Sequence, residues 1–372
     1  MGIEATERVE TVIVGGGQAG LATGYFLKQR GRPAVILDAH ERIGDAWRTR
    51  WDSLRLFTTA RYSGLPGFRF PAPPWSFPTK DDMADYLEAY ATTFDLDVRT
   101  GTPVVSLAKR GDRFVVTTAT GAFEADNVVV ATGAHRIPHI PSFANELDPS
   151  IVQLHSSGYR RPSQLGDGGV LLVGAGNSGA DIALEVVRKH DTWLAGRDTG
   201  HIPVRIERSG KYVFVLIRFF GHHILKMKNP LGRRARRKFE SKGDMLIRVK
   251  PKDLEAAGVE RVTRVAGVRG GMPVLEDGEV LDVANVIWCT GFRSDFSWID
   301  LPVLGGNGEP MHERGVVTSE RGLYFVGLPF QYSVTSDVLP GIGRDHAYIA
   351  KQISSRDRTT SPTTEITSSA AA

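Results

Sequence analysis

The chain has 372 residues, 41% of them apolar and 24% charged. That is an ordinary globular balance, which excludes wholesale disorder and leaves room for two or three compact units with sizeable cores. The single cysteine, Cys289, excludes an internal disulfide, a C-x-x-C redox pair and a structural zinc site, and it fits a reducing compartment. Net charge is +4 but uneven: residues 201–252 carry 15 Lys or Arg against 3 Asp or Glu, so the remainder is net negative.

The N-terminal MGIEATERVE lacks the basic start and apolar core of a signal peptide, and no run approaches the roughly 18 apolar residues of a membrane span. The expected location is cytoplasmic. Glu10–Val14 reads as a short β-branched strand. Gly15-Gly16-Gly17-Gln18-Ala19-Gly20 follows, then a helical pattern to about Arg30, then a second strand at Pro33–Asp38. This is one βαβ unit. Leu54–Pro78 is rich in Pro, Phe and Arg and reads as irregular loop. Asp81–Phe94 has Met83, Tyr86, Leu87 and Tyr90 at helical spacing. Strands are expected at Pro103–Ala108 and Arg113–Ala119, as a small antiparallel addition, and at Asn127–Ala131.

A second copy of the first unit begins 159 residues on. Gly169–Val173 is a buried strand, Gly174-Ala175-Gly176-Asn177-Ser178-Gly179 opens a helix to about Lys189, and Asp191–Ala195 is the next strand. Two such units in one chain suggest two dinucleotide-binding modules. In each, the first glycine permits the tight turn, the second lets backbone approach a pyrophosphate, and the third lets helix pack on strand. The helix N-terminus offers free N–H groups and a positive dipole end to phosphates. Counting 23 residues on from Gly15 reaches Asp38, and 23 on from Gly174 reaches Arg197. A carboxylate accepts hydrogen bonds from a free ribose diol, whereas a guanidinium pairs with a 2′-phosphate. The expectation is FAD in the first module and NADPH in the second. Val286–Cys289 and Gly322–Val326 read as further strands, and the Ser/Thr/Ala tail, 356–372, reads as disordered.

These motifs, with Gly44-Asp45-Ala46-Trp47, Leu54–Gly67, Ala131-Thr132-Gly133, His155–Tyr159, Cys289-Thr290-Gly291 and Gly322–Asp345, resemble in order and spacing the class B flavoprotein monooxygenases. That group includes the flavin-containing monooxygenases and the plant indole-pyruvate monooxygenases. The resemblance covers nearly the whole chain up to about Ile353. It implies an α/β fold with two Rossmann-like domains, for FAD and NADPH, the second inserted in the first. The flavin domain would comprise 1–135 plus 292–355 and the NADPH domain 136–291. The implied cofactor contacts are Gly15, Gly17, Gln18, Ala19, Gly20, Asp38, Trp47, Thr132 and Gly133 in the first domain. In the second they are Gly174, Gly176, Asn177, Ser178, Gly179, Arg197, Thr290 and Gly291. The two Thr-Gly turns are the crossings between domains. Thr58 and Thr59 are candidates for polar contact near the flavin ring.

The family's F-x-G-x-x-x-H-x-x-x-Y signature is half present: His155 and Tyr159 fit, while Pro149 and Ile151 replace Phe and Gly. His155 and Tyr159 stand at helical i, i+4 spacing and suit a role joining the domains. The implied activity is NADPH- and O2-dependent oxygen insertion into a nitrogen or sulfur centre or a 2-oxo acid, through a C4a-(hydro)peroxyflavin. Most of the chemistry would lie on the flavin, with no metal and no Ser-His-Asp triad. Alternatives of the same fold are a reductase or oxidase passing electrons to a quinone or protein, a Baeyer–Villiger enzyme, and a non-enzymatic redox sensor.

Residues 205–250 are the least family-like. Lys211–Lys228 is apolar with cationic interruptions, and Leu231–Lys238 is a dense basic run. Three readings stand: a solvated helical face, a peripheral membrane contact, and an electrostatic funnel for NADPH or an anionic substrate. Nucleic-acid binding is not expected, since no recognisable module accompanies the charge. His222-His223 is the sole His pair and does not share a helix face.

Overall fold

The computed structural model describes residues 6–133, 137–202, 215–216, 219–242 and 245–356. The C-terminal tail and the segment 203–214, on which the disordered-tail reading and part of the basic-segment reading fall, lie outside the described residues.

The first unit forms as its pattern predicts: β1 (Thr6–Val14), α1 (Gln18–Lys28) and β2 (Val35–Leu37). The first strand starts four residues before the apolar run. Its polar half, Thr6–Val9, pairs in parallel with Ala122–Ala125, and that backbone pairing has no signature in side-chain hydropathy. A 14-residue helix, α4 (Lys80–Thr93), follows two one-turn helices, α2 (Asp45–Arg48) and α3 (Ala60–Ser63). Thr79 and Asp82 close a reciprocal capping box at the start of α4. Met83, Tyr86, Leu87 and Tyr90 are buried, as their spacing requires. Three strands then run as β4 (Val104–Arg110), β5 (Arg113–Thr118) and β6 (Ala122–Val130), preceded by a three-residue β3 (Asp97–Arg99) too short and polar to be read from sequence.

The two sheets share one plan. In the first, the parallel order is β3-β2-β1-β6, with β16 (Leu323–Phe325) beside the far half of β6; β5 and β4 extend its near half antiparallel. In the second, β11 (Glu260–Val262), β10 (Thr192–Ala195), β9 (Val170–Val173), β14 (Asn285–Trp288) and β8 (Val152–His155) lie in the equivalent order, all parallel. Helix α5 (Asn177–Val186) takes the place of α1. A hairpin of β12 (Val265–Arg269) and β13 (Met272–Leu275) stands outside that sheet. Further α-helices among the described residues are α6 (Pro230–Lys242) in the basic segment, α7 (Pro251–Ala257) and α8 (Ile342–Ser354), which packs on α1.

The chain crosses between sheets twice, and the crossings lie side by side. Ile137–Pro138 (β7) and Phe292–Arg293 (β15) pair antiparallel. One buried cluster runs continuously from Ile13 and Leu21 through Tyr159 to Leu172 and Ile182, so the sheets share a core. The His155–Tyr159 spacing spans one isolated turn and not a continued helix. His155 ends β8, and Ser156–Gly158 is a single turn closed by the Tyr159 N–H on the His155 carbonyl at 3.0 Å.

Leu54–Pro78 is mostly irregular, and α4 holds it in place. The Tyr86 hydroxyl accepts from the Leu65 N–H (2.6 Å) and donates to the Phe68 carbonyl (2.7 Å), and Tyr90 donates to the Pro66 carbonyl. Phe70 stacks on Tyr86 with ring centroids 4.7 Å apart. Replacing Tyr86 by Phe strips both bonds from a buried loop and should cost about 1–3 kcal/mol. Chemical denaturation measures it, and an unchanged midpoint would show that these bonds do not hold the loop.

Candidate functional site

The duplicated glycine turns match bond for bond. The Gly15 N–H donates to the Leu37 carbonyl at 2.7 Å and the Gly174 N–H to the Ala195 carbonyl at 2.8 Å; both glycines have φ of 114°. A Cβ on Gly15 would stand 2.6 Å from the Ala131 oxygen, and one on Gly174 would overlap the Cys289 oxygen. A Cβ on Gly20 or Gly179 would overlap the carbonyl of Gly15 or Gly174, the closest helix-on-strand approach in each unit. The middle glycines differ in kind. Around Gly17 and Gly176, among the described residues, nothing lies within 4 Å of where a Cβ would stand. Each is the N-cap of its helix with no side-chain cap, so the first-turn N–H groups of α1 and α5 keep their capacity for an anion. Gly133 and Gly291, which follow the two strand-end threonines, are equally open.

Asp38 is buried at the end of β2. Its Oδ2 accepts from the Gly16 N–H at 2.8 Å, and its Oδ1 from the His40 N–H (2.9 Å) and the His40 ring Nδ1 (2.8 Å). Burial alone would raise this carboxyl, but the His40 and Gly16 bonds outweigh it and hold it below its ordinary value. In return, the hydrogen bond to Asp38 raises the His40 imidazole above 6.5. A carboxylate has about four acceptor positions, so one remains for a ribose hydroxyl. His40 has no motif and was missed by sequence reasoning; its signal is its place two residues past the acidic strand end.

The second unit corrects the residue count. Since Gly15 bonds to Leu37 as Gly174 does to Ala195, the counterpart of Asp38 is Gly196, and exposed Arg197 stands one residue further on. Gly196 has φ of 147°, and a Cβ there would lie 2.9 Å from the Ala175 nitrogen. The carboxylate is thus replaced by bare backbone with a guanidinium beside it. Arg261, on β11, donates to the Gly196 carbonyl at 3.1 Å and adds a second cation at this corner.

Other expected residues are placed as follows. Trp47 donates to the Gln18 side-chain oxygen at 3.3 Å and packs against the shared core, so these two are brought together. Ala19 is buried beneath Gly327. Ser178 is half-buried in the first turn of α5. The Asn177 amide is engaged elsewhere: it donates to the Met245 carbonyl (3.1 Å) and accepts from the Ile247 N–H (3.0 Å). Arg248 also pairs with Asp181 of α5 at 2.8 Å, so the returning limb of the basic segment is pinned to the second glycine helix. The Thr290 hydroxyl donates to the His139 carbonyl, and the Gly291 carbonyl accepts from the His139 N–H and from His155 Nε2 at 3.0 Å. Tyr159 is fully buried and donates to Glu185, which also binds Ser53. These groups fasten the crossings.

Thr58 and Thr59 are both buried. Thr58 shares a hydrogen bond with Ser63 at 2.9 Å. Among the described residues the Thr59 hydroxyl has no partner, and neither has the Thr132 hydroxyl nor the Trp51 indole N–H. Buried orphans carry a desolvation cost, and Thr132, whose backbone nitrogen lies 3.2 Å from where a Cβ on Gly15 would stand, brings one of them to the first glycine turn, where it fits a bound polar group. Among the described residues no cluster of His, Cys, Asp or Glu suits a metal. Burial pushes the Cys289 thiol up to about 12, so it is not a thiolate nucleophile at neutral pH.

The sequence matches the pyridine nucleotide-disulphide oxidoreductase family over residues 12–201. An uncharacterized oxidoreductase, CzcO-like, of Geobacillus kaustophilus (strain HTA426) is 42% identical over 349 residues, covering 93% of this chain and 98% of that one. The probable indole-3-pyruvate monooxygenase YUCCA3 of Arabidopsis thaliana is 30% identical over 386 residues, covering 93% and 86%. Among solved structures, a flavin-containing monooxygenase from Stenotrophomonas maltophilia is similar with a TM-score of 0.76 and 27% identity, covering 93% of this chain and 98% of that one.

The glycine geometry separates packing from binding. Gly20→Ala should destabilise the fold by about 3 kcal/mol through overpacking, whereas Gly17→Ala should leave stability within about 1 kcal/mol and weaken dinucleotide retention. Denaturation and bound-flavin absorbance, measured on both variants, read the two effects, and equal destabilisation would contradict the division. The Asp38–His40 pair has its own pH window. The lowered Asp38 contributes above its ordinary 3.8 and the raised His40 below its ordinary 6.5. The stability difference between wild type and His40→Gln should therefore be largest between these values and shrink as pH rises through the His40 titration. A difference that grows with pH would overturn the pairing.

Proposed function

The chain belongs to the pyridine nucleotide-disulphide oxidoreductase family as a flavin-monooxygenase-type enzyme using FAD and NADPH, and from that premise we propose that it inserts one atom of O2 into a small organic substrate. The observation that carries this reading is the asymmetry between two otherwise matching turns. One ends in a buried carboxylate suited to a free ribose diol, and the other in Gly196-Arg197 suited to a 2′-phosphate. One site holds its dinucleotide and the other exchanges it. The flavin domain comprises residues 1–135 and 292–355, and the NADPH domain residues 136–291.

In this reading NADPH supplies two electrons, one oxygen atom enters the substrate, and the other leaves as water with two protons. Bound FAD supplies the redox and oxygen-activating chemistry. The protein binds, orients and excludes water. The N-terminus of α1 and the open backbone at Gly17 take one pyrophosphate, while Asp38, oriented by Gly16 and His40, takes the adenosine ribose. The N-terminus of α5, Gly176 and Ser178 take the other pyrophosphate, and Arg197 with Arg261 takes the 2′-phosphate. Asn177 contributes through its backbone N–H, since its amide is committed to residues 245–247. Thr59 and Thr132 offer unpartnered hydroxyls on the flavin side. α3, which starts just after Thr59, packs against the Leu339–Gly341 turn that leads into α8. The substrate is a nitrogen or sulfur compound or a 2-oxo acid; the last class is favoured by likeness to a probable indole-3-pyruvate monooxygenase.

Two measurements test this. Anaerobic reduction of the FAD-loaded protein should be faster with NADPH than with NADH, and Arg197→Ala should weaken NADPH binding by about tenfold while sparing NADH. Turnover under isotopically labelled O2, with a panel of amines, sulfides and 2-oxo acids, should yield a product carrying one labelled oxygen atom per NADPH consumed. Peroxide as the sole oxygen product across the panel would defeat the oxygen-insertion reading.

A further inference from the structure

The basic segment does not end in solvent. Lys226 forms a β-bridge with Ser333, and the Met227 N–H donates to the Tyr332 carbonyl at 2.8 Å, so the base of α6 is tied to the loop after β16. Between α6 and residues 312–314 and 330–332 lies a cavity of about 600 Å³, within the range of ligand-binding pockets. Among the described residues five cationic side chains, Lys228, Arg233, Arg236, Arg237 and Arg314, line it with one carboxylate, Glu313, while the buried Asp345 carboxylate lies 3.8 Å from the Arg314 guanidinium. Arg233, Arg236 and Arg237 stand at i, i+3 and i+4, one face of α6, and that face is turned to the cavity.

Three further observations make this a built site and not a solvated helix. The Arg314 guanidinium is sandwiched between the Tyr332 and Tyr348 rings, 4.1 and 3.9 Å from their centroids, and its Nε is buried without a partner among the described residues. Arg314 and Phe330 both line the cavity with left-handed backbone, φ of 52° and 54°. Among the described residues only one other non-glycine, Asp95, has positive φ. Strain of this kind persists where surrounding structure enforces it, commonly at ligand sites. His312 also lines the cavity; its Nδ1 accepts from the Gly315 N–H at 3.1 Å, so the ring's remaining nitrogen carries the proton and can only donate. Like charges gathered on one concavity repel one another, and a multiply charged anion relieves that repulsion.

We propose that this cleft binds a small polyanion, a ligand bearing two or more phosphate or carboxylate groups, at a place separate from both dinucleotide turns. Arg236 and Arg237 provide the forks, Arg314 a fixed cation at the floor, and Phe330 and Tyr332 an apolar wall. Glu313, paired with Lys228 at 3.4 Å, opposes the ligand and limits its affinity. The proposal is independent of which substrate the enzyme oxidises.

The test titrates inorganic pyrophosphate and citrate into the full FAD-loaded chain, saturated with NADP+ so that both dinucleotide sites are occupied, at constant ionic strength set with NaCl. Saturable binding by calorimetry is expected, and the tighter of the two probes identifies the phosphate or carboxylate class. An Arg236→Gln/Arg237→Gln double variant should lose about tenfold or more in affinity through its missing charge-assisted bonds. Glu313→Gln should gain about threefold, the scale of one solvent-facing charge, and a gain cannot arise from misfolding. Binding indistinguishable from the NaCl control, or affinity unchanged in both variants, would overturn the proposal.

Discussion

The contact on which everything else rests is the approach of a helix to the end of its preceding strand with no side chain between them. At Gly20 over Gly15, and again at Gly179 over Gly174, a Cβ would overlap a carbonyl oxygen. This proximity brings the first turn of α1 and of α5 over the strand ends, where their uncapped N–H groups converge with open backbone at Gly17 and Gly176. The helix dipole and the free donors act within about one turn, so a small displacement would forfeit them. Stability and anion binding therefore depend on different glycines of the same six-residue motif.

Because the unit is duplicated, each sheet presents an equivalent edge, and what distinguishes them is the residue at the end of the second strand. Asp38 is held ionised by two bonds from His40 in its own turn and one from Gly16 in the glycine turn. Its counterpart, Gly196, has no side chain at all, and the cations lie beside it. The two crossings between sheets are paired with each other at Pro138 and Phe292 and are tied to β8 through His155. Tyr159 fills the shared core and reaches Glu185 at the end of α5. Relative movement of the sheets would have to break these contacts together.

The basic segment joins this arrangement at its middle and at its returning end. Asn177 and Arg248 fasten its return to α5, and residues 226–227 fasten its base to the loop after β16. It thus spans from the second glycine helix to the first sheet's C-terminal loop, and the charge that is a bare excess of Lys and Arg in sequence becomes one wall of a cavity. Whether charge on a helix is solvated or directed inward depends on what faces the helix, and here Arg314, some 80 residues away in the chain, does so.

The duplicated motif, the alternating strands and helices, the burial of Met83, Tyr86, Leu87 and Tyr90, and the acidic end of β2 were legible in the amino-acid sequence. Each is set by residues within a turn or two of one another, where spacing along the chain equals spacing in space. The polar half of β1 and the short β3 were not legible, because their pairing lies in backbone bonds to distant strands. The same holds for the offset that makes Gly196 the partner position of Asp38, which follows from strand register and not from residue count. The commitment of Asn177 to residues 245–247, the confinement of His155–Tyr159 to one isolated turn and the meeting of α6 with Arg314 were likewise decided only by tertiary structure. In each case the partners are remote in sequence, and packing and register alone bring them together.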